Sequence, residues 1–330
     1  MKINYTLSAL AVISTVLLAA CGGGGESAAI VAPPITEPTD ADRAKAATDT
    51  ANTNALCAAS ALGSYYWEVG DVNGATVSGT VGGSPPSATT MMSIASASKW
   101  VYSTYVLQKA GVRTSDVPVL NFTSGYTEFK LPLCSVSDTV ASCVDGNDGQ
   151  EADTVGEFFY GSGHMQHHAL ASMGLGNMGT SALTAEIFGV VGNFDMEYSQ
   201  PQLAGGLVGN AAGYAEFLRS ILRGTLVMRD SLGNNKVCTN SLTCSTALAS
   251  PISDTESWNY SLGHWVEDDP TFGDGAFSSA GALGFYPWID STKTLYGVLA
   301  RRADGESNAG YNSARCGRLI RQAWVTGKAV

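Results

Sequence analysis

Strand-forming runs stand at both ends of this 330-residue sequence, with helix-forming stretches between them. Near the start, Tyr65-Tyr66-Trp67-Glu68-Val69 and Ala75-Thr76-Val77-Ser78 flank the tight-turn pair Asn73-Gly74 and read as a β-hairpin. Near the end, residues 281–288 and 294–301 read as two strands joined by a turn at 289–293. Ala-rich residues 40–61 read as a helix with Thr39 or Asp40 as N-cap, and helices are also expected over 96–109, 211–223 and 313–325. Such strands share one sheet only if the two ends of the chain come together. The expected fold is therefore α+β (or α/β): an antiparallel sheet built from the N- and C-terminal segments, flanked by helices, with a mostly helical insertion over about 114–224.

The cysteines bear on the same point. Seven are present, and setting Cys21 aside leaves six, which in an oxidising compartment suggests three disulfides. Spacing favours the local pairs Cys134–Cys143 and Cys238–Cys244 among the 15 possible connectivities, leaving Cys57 with Cys316 as a staple between the ends of the domain. No C-x-x-C occurs, so a metal-thiolate site is disfavoured.

The first 20 residues read as a targeting segment: Met1-Lys2, an apolar stretch over 7–18 too short to span a membrane, then Leu18-Ala19-Ala20-Cys21. That ending resembles a bacterial lipobox, which implies cleavage before Cys21 and acylation of its thiol; an ordinary signal peptide is the alternative. Four glycines and then Pro33, Pro34 and Pro38 make 21–45 a loose tether, with a mean span of roughly 25–30 Å for about 25 residues. The main folded domain is expected over 46–330. The protein is read as exported, anchored to a membrane of the cell envelope (the outer membrane suspected), and monomeric. A formal net charge of −11 disfavours nucleic acid as a partner.

Ser96-Ala97-Ser98-Lys99 is the only S-x-x-K in the sequence. A separation of three residues on a helix puts both side chains on one face, so Lys99 can reach the Ser96 hydroxyl. A serine at a helix start also feels the positive end of the macrodipole, which favours a developing oxyanion. As a base the lysine must spend time neutral, and burial lowers its pKa toward that state.

Ile94-Ala95-Ser96-Ala97-Ser98-Lys99-Trp100 resembles the nucleophile segment of the penicillin-recognising serine hydrolases: β-lactamases, D,D-peptidases and the esterases built on their scaffold. The resemblance runs from about residue 65 to 325. Phe158-Phe159-Tyr160-Gly161-Ser162 lies where that family carries Tyr-x-Asn, and Ser278-Ser279-Ala280-Gly281-Ala282 where it carries Lys-Thr-Gly. Leu203-Ala204-Gly205-Gly206-Leu207 looks like an element of the class C and esterase branches. The resemblance implies a β-lactamase/transpeptidase-like fold, Ser96 as nucleophile, Lys99 and Tyr160 as acid–base pair, and the backbone N–H groups of Ser96 and Ala282 as oxyanion hole. Ser162, Ser279 and Gly281 would bind substrate. Tyr198, in Tyr198-Ser199-Gln200, competes with Tyr160 for the tyrosine's part.

The departures narrow the activity. Ser162 replaces an asparagine, and Ser279-Ala280-Gly281 lacks the basic residue that helps hold the carboxylate of β-lactams, which shifts the expected substrate toward a small-molecule ester or amide. Carboxylesterase-like activity is the leading expectation. β-Lactamase or D,D-peptidase activity is one alternative, and a non-catalytic cell-envelope binding protein is another. His164, His167 and His168 read as polar residues lining the pocket rather than metal ligands, and no cofactor is expected. Trp265, Tyr286 and Trp288 read as core aromatics that could instead stack on a substrate.

Overall fold

The computed structural model describes residues 37–127, 134–144 and 149–330. The expected signal peptide, Cys21 and the tether up to residue 36 lie outside the described residues. In chain order, α1 (Asp40–Thr53) and α2 (Ala59–Leu62) precede the hairpin β1 (Tyr65–Asp71) and β2 (Gly74–Val81), then β3 (Met92–Ser93), α3 (Ser98–Ala110) and α4 (Val117–Leu120). There follow β4 (Phe158–Phe159), α5 (Gly163–Ala171), α6 (Thr180–Val191), β5 (Glu197–Tyr198), β6 (Leu207–Gly209), α7 (Ala211–Leu222) and α8 (Met228–Ser231). The chain ends with β7 (Val237–Cys238), β8 (Ala247–Ala249), β9 (Asn259–Ser261), β10 (His264–Glu267), β11 (Ala276–Ser278), β12 (Tyr286–Ile289), β13 (Tyr296–Arg301) and α9 (Ala309–Thr326).

The main sheet has the order β2-β1-β13-β12-β11-β10-β9-β7. All its pairs are antiparallel, and the termini meet where β1 runs beside β13, Tyr65 opposite Arg301 and Gly70 opposite Tyr296. This is the expected sheet of N- and C-terminal segments. Successive residues of a strand face opposite sides, and residues 65–70 and 296–301 are all buried, so both faces are covered there. Helices α7 and α9 each pack on β1, β12 and β13. Four strands, β7 and β9 to β11, extend the sheet beyond the expected ones; at two to four residues each they are too short to show an alternating pattern.

Three local expectations change. Helix α1 begins at Asp40, inside the segment assigned to the tether, because Thr39 and Asp42 form a reciprocal capping box: Asp42 N donates to Thr39 Oγ1 (3.2 Å) and Thr39 N to the Asp42 carboxylate (3.0 Å). The helix expected over 40–61 stops at Thr53, where Asn54 turns extended (φ −69°, ψ 132°). Residues 281–284 form a turn ahead of β12 rather than the start of a strand, with Gly284 N donating to Gly281 O (2.9 Å) and Gly284 at φ 98°.

The six cysteines pair as Cys57–Cys316, Cys134–Cys143 and Cys238–Cys244. Cys57 sits between α1 and α2 and Cys316 in α9, so the first bridge joins ends 259 residues apart. Buried ion pairs fix α9 to the sheet side: Arg321 binds Glu267 (2.9 Å) and Asp274 (2.7 Å), and Arg318 binds Glu256 (2.8 Å). Removing one partner would strand a buried charge at a cost of about 3–5 kcal/mol.

Candidate active site

Ser96 occupies a 3₁₀ turn (Ala95–Ala97) that runs directly into α3. Ala95, just before it, has φ 45°, the left-handed region that a residue with a Cβ enters only under strain. Three side chains hold the turn. Ser98 Oγ donates to Ala95 O (2.6 Å), Ser279 Oγ to Ser96 O (3.1 Å) and Tyr214 OH to Ala97 O (2.8 Å). Leu207 N in turn donates to Ser98 Oγ (3.2 Å). Gly281 packs against the same turn so closely that a Cβ there would lie 2.2 Å from Ile94 O. Only glycine fits.

Lys99 lies in the first turn of α3 and is 2% exposed. Its Nζ donates to Ser96 Oγ (2.9 Å) and to Ala204 O (2.9 Å), and sits 4.7 Å from the centre of the Tyr160 ring. Burial alone pulls its pKa down to about 7. Tyr160 follows β4; its ring stacks on Trp265 of β10 with centroids 5.1 Å apart, and meets Tyr260 and Phe122 edge-on. Burial pushes its phenol up to about 12, although hydrogen bonds with Ser96 and Trp265 side chains oppose the rise. At neutral pH the phenol keeps its proton while the amine is close to half-deprotonated.

A cavity of about 190 Å³ opens beside this pair. Ser96, Tyr160, Trp265, Ala280 and Ala282 line it together with Pro251 and Ile252, and Glu306, Asn308 and Tyr311 also contribute to its wall. No described group accepts a hydrogen bond from the backbone N–H of Ser96 or of Ala282.

Of the residues expected to bind substrate, none lines the cavity. Ser162 precedes α5, its carbonyl accepting from Gln166 N (3.3 Å), whereas Ser279 and Gly281 contact the turn that carries Ser96. Tyr198 is buried on β5, away from the cavity lining.

The histidines also take a different place. His164 bonds Ser124 (2.7 Å) and Phe159 O (3.0 Å), His168 bonds Tyr102 (2.8 Å) and Asp116 (3.2 Å), and His167 stacks on Tyr126. They brace α5 and do not line the cavity. Trp288 and Tyr286 are core, as expected; Trp265 is both core and wall. Sequence reasoning missed Glu306, Asn308 and Tyr311. Their one signal is a polar loop, begun by Asp304-Gly305, between the last strand and the closing helix.

No family model matches the chain, and no curated protein matches it either. Solved structures do. A penicillin-binding protein homologue from Caulobacter crescentus is 12% identical, with a TM-score of 0.62 over 88% of this chain and 98% of its own. EstCE1, described as a hydrolase with promiscuous acyltransferase activity, is 12% identical with a TM-score of 0.61 over 87% and 99%. A D-stereospecific amidohydrolase from a Streptomyces species is 14% identical with a TM-score of 0.57 over 88% and 100%. At these identities the likeness is one of fold, and the chain has the β-lactamase/transpeptidase-like fold of these proteins.

Proposed function

We propose that this chain is a serine hydrolase that cleaves small esters, and more slowly amides, through an acyl-enzyme on Ser96. The observation that carries the reading is the 2.9 Å contact from a buried, half-deprotonated Lys99 to the Ser96 hydroxyl. Lys99 takes the hydroxyl proton as Ser96 Oγ attacks the carbonyl carbon. The N–H groups of Ser96 and Ala282 receive the oxyanion. Collapse expels the alcohol or amine, which regains the proton from Lys99 through the Tyr160 hydroxyl. Water then attacks the acyl-enzyme, giving its proton to Lys99 and restoring Ser96 as the acid leaves.

The cavity supports short acyl groups: at about 190 Å³ it is smaller than the roughly 300–1,000 Å³ of drug-sized ligand pockets. With no Lys or Arg among the described residues of its wall, it supports esterase activity over β-lactamase or D,D-peptidase activity on carboxylate-bearing substrates. The hydrolase and amidohydrolase named among the similar structures agree in reaction type. Export and acylation at Cys21 belong to the same proposal.

The test is a chromogenic short-chain ester assay on the soluble domain, with Ser96→Ala as control and mass spectrometry for an acyl adduct on Ser96. Turnover that survives the substitution removes Ser96 from the mechanism. No turnover or adduct with any ester, amide or β-lactam points instead to a binding protein. Radiolabelled fatty acid that fails to appear on the full chain, or appears equally on Cys21→Ser, refutes the anchor.

A further inference from the structure

Among the described residues lining the cavity, Glu306 is the only charged one. Arg301 Nη1 and Nη2 each donate to one of its oxygens (2.6 and 2.9 Å), and this pairing holds the carboxyl below its ordinary range, so it is ionised at neutral pH. The pair is not electrically blank toward the cavity. Arg301 is 1% exposed, and its remaining donors go to Leu62 O (2.8 Å), Ala309 O (2.9 Å) and Ser313 Oγ (2.7 Å). The Glu306 side chain is 31% exposed. The guanidinium therefore stands behind and the carboxylate in front. Asn312 takes a second position on Oε1 (3.0 Å), while Oε2 accepts only from Arg301 and keeps a lone pair for another donor. Three of the other lining residues, Tyr160, Trp265 and Tyr311, are aromatic, and ring faces attract cations as carboxylates do. Lys99, the nearest positive charge to the nucleophile, is sealed from the cavity at 2% exposure.

We infer that the cavity selects esters or amides whose acyl part carries an ammonium group, with Glu306 as the specificity-determining residue. The inference rests on the reading of Ser96 as nucleophile. It names a substrate class: amino-acid-like acyl donors with a free amine, preferred over neutral donors and strongly preferred over carboxylate-bearing ones.

Three 4-nitrophenyl esters of matched length test it, each corrected for spontaneous hydrolysis: β-alaninate (cationic), butanoate (neutral) and the succinate monoester (anionic). A partly exposed pair supports about a five-fold gain in kcat/KM at each step, so about 25-fold from anion to cation at low salt. The preference shrinks in 0.5 M NaCl, where the Debye length falls to a few ångströms. In Glu306→Gln the ratio of cationic to neutral kcat/KM falls toward one; as a ratio within one enzyme, it is immune to partial loss of folded protein. A wild-type ratio at or below one, or a salt-independent ratio, overturns the inference, as does a ratio unchanged in Glu306→Gln. Butanoate turnover that persists in Ser96→Ala, or absence of turnover of all three esters, overturns the hydrolase reading, and the selectivity falls with it.

Discussion

Replacing Lys99 by methionine is expected to abolish turnover and, at the same time, to stabilise the folded protein at neutral pH. Burial takes the amine from its ordinary 10.5 down to about 7. The folded-state pKa thus lies below the unfolded one, and between those two pH values the unfolded chain holds a proton that the folded chain lacks. Stability contributed by this group therefore rises with pH across that window. Over a gap of about 3.5 pH units, at about 1.4 kcal/mol each, the rise is about 5 kcal/mol, and below pH 7 the whole penalty is present. Against it stand the hydrogen bonds to Ser96 Oγ and Ala204 O, worth about 1 kcal/mol each. Methionine keeps the apolar length of the stem and removes the charge, so Lys99→Met should be more stable by about 3 kcal/mol at pH 7.

That advantage should shrink by about 1.4 kcal/mol per pH unit and vanish near pH 9. Urea midpoints of both proteins at pH 7, 8 and 9 measure it, and groups that titrate identically in the two proteins cancel in the difference. Buried tyrosines such as Tyr160 and Tyr198, whose phenols are pushed up by burial, release no protons in this range. A difference that stays flat from pH 7 to 9, or a variant less stable than wild type at pH 7, would refute the claim that Lys99 is held near neutrality by burial.

The same group sets the pH dependence of catalysis. In wild type, kcat/KM for a neutral ester should rise about ten-fold per pH unit below pH 7 and level off above it, because only the neutral amine takes the Ser96 proton; a midpoint above pH 9 would exclude Lys99 as the base. Tyr160→Phe should lower kcat by about 100-fold while Tyr198→Phe stays within three-fold, and the reverse order would move the proton relay to Tyr198. Removing Cys57–Cys316, which closes 259 residues, should cost about 5 kcal/mol in urea unfolding, against about 2 kcal/mol for Cys238–Cys244, which closes 6. Equal losses would contradict the chain-entropy account.

Legibility in the sequence follows the length over which each signal is averaged. The hairpin over β1 and β2, the helix α7 and a sheet shared by the two ends of the chain rest on apolar runs or on turn pairs such as Asn73-Gly74, and all stand out in the amino-acid sequence, although the pairing of β1 with β13 does not. β10 and β11, at four and three residues, do not, although β10 brings Trp265 to Tyr160. S-x-x-K spacing places Lys99 beside Ser96 because three residues along one helical turn set that distance locally. Residues whose positions depend on long-range packing are harder to place. Motif position alone points to Ser279 and Gly281 as substrate contacts, yet the segment after β11 brings them against Ser96 O and Ile94 O. No local pattern tells which residues of such a segment face the cavity and which face the turn that carries Ser96.

Among the described residues no carboxylate lies beside Lys99, and for a base that matters. An acidic neighbour would stabilise the ammonium and raise its pKa, locking the proton on the group that must accept one. Here a wall of Phe122, Tyr160 and backbone surrounds Nζ, and burial is the one cause of its shift. The same burial drives Tyr160 the opposite way, because in each case the charged form is the one disfavoured. One physical term therefore yields an amine ready to take a proton and a phenol that keeps its own. The strained turn at Ala95 and its clamps from Ser98, Ser279 and Tyr214 hold Ser96 Oγ at the boundary between that dry interior and the cavity. Moving the boundary by a single atom, as a methyl at Gly281 would by pressing on Ile94 O, should wet or displace the pair and cost activity before it costs the fold.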